Sequence, residues 1–174
     1  MLLECGKTKK AEFEPADSLH NQWLEFSKIH DLNKDIKILS QILNDPSYIA
    51  RNEQEILNTL YDATLIVLDS ALELDKEQKT RAQYFSYNLC ECDACQKQCG
   101  AHINKKGQIR ISKKAFQNTL KQSGSSPPGL LELMYIILYE VLHGIFLELD
   151  GEAITERTQQ VWKSGMNELA EEEL

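Results

Sequence analysis

Residues 127–149 read PPGLLELMYIILYEVLHGIFLEL. Beyond Gly129 the run is apolar or tyrosine except for Glu132, Glu140, His143, Gly144 and Glu148. It is long enough to suggest a membrane span, but its ionisable groups recur at helical spacings and would leave charge in lipid. The pattern therefore predicts a helix buried in the core of a globular fold. Ser126 followed by Pro127 is a start signal, because proline has no backbone N–H to lose at the first helical position. Asp150 and Gly151 mark the stop.

Upstream, Ser123–Gly129 (SGSSPPG) reads as a loop and Lys113–Gln122 as a short helix. Gln108–Ser112 (QIRIS) alternates apolar and polar residues as a half-buried strand does, with Lys106 and Gly107 as the turn before it. Tyr84–Leu89 is a second strand candidate. Downstream, Ile154, Val161, Trp162 and Met166 place one apolar face on a helix from Glu152 to about Leu169.

The first half reads as helical. A polar arm over 1–16 precedes a helix from Ser18 carrying Leu19, Trp23, Phe26 and Ile29, then one carrying Ile36, Leu39, Ile42 and Leu43 that Asn44, Asp45 and Pro46 end. A long helix is expected over Ser47–Asp75, where glycine is absent and apolar residues recur. The expected class is α+β, mostly α: a helical region at 1–80, then a unit at 81–174 with a short sheet, the apolar helix and a C-terminal helix, packed as one compact domain.

The 174 residues are 42% hydrophobic and 26% charged, ordinary for a globular protein, with a formal net charge of −8. That charge disfavours nucleic acid as a partner, since neutralising phosphates needs a basic face. Lys105, Lys106, Arg110, Lys113, Lys114 and Lys121 nevertheless concentrate positive charge, as a solvated face or as a patch for acidic partners. Met1–Lys10 holds no apolar run of the secretory kind, so a cytoplasmic location is expected.

Tyr139, Glu140, Val141, Leu142 and His143 spell YEVLH, one substitution from the HExxH zinc signature. In that signature two histidines four apart reach one metal, and the glutamate serves as general base for the bound water. With the preceding strand, the LHGIF run at 142–146 and the following helix, the segment 84–170 resembles the minimal gluzincins of phages and mobile elements. More loosely it is similar to the ImmA/IrrE-type metallopeptidases. The resemblance implies a zincin-like unit, with Glu140 as the base and a carboxylate ligand, Glu152 or Glu156, on the last helix beside His143.

The sequence departs from the family at Tyr139, which stands where the first histidine belongs. A phenol with a pKa of about 10 is a poor zinc ligand beside imidazole. Tyr139→His is expected to restore the ligand pair. The same spacing also suits a plain hydrogen-bonded pair, Glu140 with His143, inside a helical hairpin.

Cys90, Cys92, Cys95, Cys99 and His102 lie in the string CECDACQKQCGAH. Soft ligands so close, with polar neighbours, point to a structural zinc site using the Cys92–Cys95 knuckle and two donors from Cys90, Cys99 and His102. An iron–sulfur cluster is the second metal reading, and buried or reactive thiols are the non-metal one. Three functions remain: a regulatory or binding protein with a protein partner on a degenerate, non-catalytic scaffold; an active zinc metallopeptidase with an atypical ligand set; and a zinc-knuckle adaptor for nucleic acid or protein.

Overall fold

The computed structural model describes Ser47 and residues 51–91, 101–122 and 127–172. It is mostly helical with one small sheet. The elements, in chain order, are α1 (Glu53–Ser70), α2 (Lys76–Gln83), β1 (Ser86–Cys90), β2 (Ala101–Ile103), β3 (Gln108–Ser112), α3 (Lys113–Gln122), α4 (Pro127–Ile145) and α5 (Gly151–Glu172).

Helix α4 is the axis of the fold. From Leu131 to Phe146 every residue is buried except the half-buried Glu132 and Ile136. A helix apolar on all sides needs cover on all sides, and α1, α2, α3, α5 and β2 all pack on it. Leu57, Leu60 and Leu68 of α1 and Ile154, Val161 and Trp162 of α5 belong to the same core. The Trp162 and Tyr135 rings pack edge to face, with centroids 5.7 Å apart.

The sheet order is β1-β3-β2, with β1 parallel and β2 antiparallel to β3. Alternation sends Ile103, Ile109 and Ile111 to the core. His102 and Arg110, which are register partners, therefore share the opposite face with Cys90. A tight turn joins β2 to β3. Asn104 Oδ1 accepts from the N–H groups of Lys106 and Gln108, and Gly107 takes a φ of 76° that a β-carbon would oppose.

Four expectations shift. The helix expected over Ser47–Asp75 stops at Ser70, and a new helix starts at Lys76, where Asp75 and Gln78 form a capping box. That second helix runs across residue 80, so the division between 1–80 and 81–174 falls inside an element, and α1 shares the core with α4. The strand Ala101–Ile103 is an addition. Helix α4 ends at Ile145, short of Leu149, and Asp150 caps the next helix by accepting from the Ala153 N–H at 2.8 Å. The helices expected near Ser18–Ile29 and Ile36–Leu43 lie outside the described residues.

Helices α1 and α5 meet closely at Gly165, where a β-carbon would run into the carbonyl oxygen of Val67. Backbone cannot swing aside as a side chain can, so Gly165→Ala should destabilise the protein by about 2–3 kcal/mol or more. Lys163→Ala, on the exposed side of the same helix, should change stability by only about 0.5 kcal/mol. Urea unfolding of the two variants checks this; equal midpoints would contradict the crossing.

Candidate functional site

Tyr139 and His143 stand four residues apart on α4, on one face, with ring centroids 5.5 Å apart in an edge-on arrangement. Glu140 lies beside them. All three are buried, at 2%, 3% and 3% exposure for Tyr139, Glu140 and His143. Burial is the main influence on each. It pushes the Tyr139 phenol up, with the neighbouring Glu140 carboxyl adding in the same direction and the Thr155 hydroxyl opposing. It pushes the Glu140 carboxyl up to about 8 and the His143 imidazole down. The neutral form is favoured at all three positions.

The first turn of α5 decides what faces this cluster. A β-carbon built on Gly151 would lie 3.7 Å from the Tyr139 hydroxyl oxygen. One turn on, the Thr155 hydroxyl is a hydrogen-bond neighbour of that phenol and donates to the Gly151 carbonyl at 2.8 Å. Glu152 and Glu156 each follow one of these residues, about 100° further round the helix, and both are exposed. The buried stripe of α5, Ile154, Thr158, Val161, Trp162 and Met166, runs along the other side.

Among the described residues no three His, Cys, Asp or Glu side chains are grouped so as to hold a metal ion. The structure brings Tyr139, Glu140 and His143 together, but not with Glu152 or Glu156. One atom does suit a ligand: His143 Nε2 is buried with no hydrogen-bond partner, a state that costs about 1–3 kcal/mol. The plain pairing of Glu140 with this nitrogen is thus not made. As a set, a buried phenol, a carboxyl favouring its proton and one imidazole do not fit a three-ligand zinc centre.

Gly151 and Thr155 are the neighbours that sequence reasoning passed over. The signal was present, since extending the apolar stripe of α5 back from Ile154 and Thr158 reaches 151 and 155 and leaves 152 and 156 outside.

Of the cysteine group, Cys90 and His102 are described. Cys92, Cys95 and Cys99 lie outside the described residues. Cys90 is a half-buried free thiol at the end of β1, and His102 is buried on β2 with its imidazole pushed down by burial and by Arg110. The chain leaves the sheet after Cys90 and rejoins it at Ala101, at the same end of β3. Lys113 secures the exit by donating to Glu91 at 2.9 Å and pairing with Glu53 at 3.6 Å. Of the basic residues, Lys113 is engaged with Glu91 and Glu53, Arg110 stands by His102, and Lys105 and Lys106 sit in the β2–β3 turn.

No family model, curated protein or solved structure matches the chain. No helix among the described residues is long and apolar enough to cross a membrane.

Two outcomes follow from this geometry. Folded Glu140 holds its proton more tightly than the unfolded chain does, so its contribution to stability is complete below the ordinary value of 4.5 and is lost as pH rises to about 8. The depressed His143 works in the opposite sense, losing stability as pH falls, but it is common to parent and variant and cancels. Glu140→Gln should therefore gain on the parent in urea unfolding, by on the order of a few kcal/mol between about pH 5 and pH 9. A difference that stays constant would contradict this. The second concerns ligand count: Tyr139→His alone should bind no added zinc, whereas Tyr139→His with Thr155→Glu should bind about one, because only then do two imidazoles and a carboxylate face each other. Zinc titration with Cys92 and Cys95 changed to serine checks it; equal binding by the two variants would refute the placement of Thr155.

Proposed function

We propose that this chain is a regulatory or binding protein for a protein partner, built on a degenerate zinc-peptidase-like scaffold that does not hydrolyse peptides, with a structural zinc at its cysteine cluster. The observation that carries the first part is Tyr139. It occupies the position of a metal-binding imidazole as a buried phenol directed at Thr155 and Gly151. Burial and the Glu140 carboxyl both oppose the phenolate. A general base must also be ionised to work, and burial holds the Glu140 carboxyl toward its protonated form.

The zinc part is supported by the sheet. The strand-to-strand connection bearing Cys92, Cys95 and Cys99 leaves the sheet at Cys90 and returns at Ala101, at the same end of β3, and His102 follows one residue into β2 on the face that Cys90 shares, with β3 between them. A bound zinc would neutralise several thiolates and hold a stretch too polar to make a core of its own.

The specific observation favouring a second reading, an active metallopeptidase with an unusual ligand set, is the unpartnered Nε2 of His143. Peptide cleavage separates the readings. With zinc supplied, the protein and Glu140→Gln should be equally inactive on a mixed peptide substrate; cleavage abolished by Glu140→Gln would overturn the non-catalytic reading. For the zinc, Cys92→Ser or Cys95→Ser should each lower metal content by about one equivalent and speed hydrogen exchange in the segment 84–110. Unchanged metal and unchanged exchange in both would remove the structural site.

A further inference from the structure

A cleft of about 270 Å³ opens on the side of the molecule formed by the end of α2, the β2–β3 turn and the end of α4. Arg81, Lys105 and Lys106 line it, and no aspartate or glutamate does. Its apolar parts are Phe85, Ile103 and Leu147, with Tyr84 at the rim. Tyr84 is 83% exposed and Leu147 40% exposed, two of the four exposed large hydrophobic side chains among the described residues.

The local sequence builds this feature firmly. The Asn104 side chain closes the turn and so places Lys105 and Lys106 at its tip. The Phe85 ring lies against both Gly107 and Gly144, so that a β-carbon on either would come within 2.9 Å of it. The aromatic floor is thus locked between the hairpin and the central helix. Arg81, Lys105 and Lys106 form no ion pair among the described residues; the pairs there belong to Lys113. Among the described residues these three cations line the cleft with no carboxylate beside them, in a chain whose net charge is −8.

We propose that this cleft is a docking site for an acidic peptide segment of a partner protein, with an apolar side chain of that segment seated on Phe85 and Leu147. Charge complementarity selects the occupant: carboxylates match Arg81, Lys105 and Lys106, and Tyr84 gives an aromatic wall to the residue between them. Nucleic acid fits less well, because three cations neutralise few phosphates and the remaining surface repels a polyanion. The site lies beside Gly144, away from the face of α4 that Tyr139 and His143 share, and the proposal does not rest on the metal state of either candidate centre.

The test is fluorescence anisotropy of the full chain with a pool of labelled peptides in which glutamates flank one varied apolar position. Expected is saturable binding that weakens with added salt, falls about tenfold or more in Arg81→Ala/Lys105→Ala/Lys106→Ala, and falls several-fold in Tyr84→Ala. These side chains are exposed, so circular dichroism should show the fold retained. Titration followed by amide chemical shifts should move Phe85, Gly107 and Gly144 first. No binding from the pool, binding unaffected by the triple variant, shifts centred elsewhere, or stronger binding of a single-stranded oligonucleotide to the same residues would each overturn the proposal.

Discussion

Burial of α4 on every side is the constraint from which the rest of this structure follows. Removing so much apolar surface from water is the dominant favourable term available to a domain this size. It can be realised only if α1, α5, α3, α2 and the sheet all close on the same helix. Whatever α4 carries must then survive dehydration. Tyr139, Glu140 and His143 do so as neutral groups, for burial raises the first two and lowers the third. A helix cannot be both the centre of an enclosed core and the open floor of a hydrolytic cleft without a bound cation or water to offset that cost.

The same constraint explains the small residues around it. Gly165 lets α1 and α5 meet backbone to backbone, and Gly144 makes room for Phe85 and Ile103. Gly151 and Thr155 let α5 begin directly against the Tyr139 hydroxyl. Cys90, His102 and Arg110 share the sheet face opposite Ile103, Ile109 and Ile111, and the polar connection leaves and rejoins the strands there.

Much of this was legible from residue patterns. The apolar run at 127–149, the alternation of QIRIS and the apolar stripe of α5 reported element type directly, because burial on one or all sides leaves a period. What escaped detection had other causes. The strand Ala101–Ile103 is too short to show a period and exists through pairing with β3. The break after Ser70 has no proline or glycine at it; the signal was the Asp75–Gln78 capping box, read through as continuing helix. At the candidate site the motif marks Tyr139, Glu140 and His143, and the family resemblance implies Glu152 or Glu156 as the carboxylate ligand. The helical period, applied strictly, turns both toward solvent and presents Gly151 and Thr155 instead.

A metal has two places to occupy, the end of the sheet where the chain leaves at Cys90 and returns at Ala101 and the buried face of α4 marked by His143. A crystal grown with zinc and measured on both sides of the zinc absorption edge distinguishes them in one experiment. An anomalous peak is expected beside Cys90, at the end of the sheet where the chain leaves and returns, and none within bonding distance of His143 Nε2. A peak on His143, with Glu140 beside it, would contradict the reading of α4 as a neutral core helix.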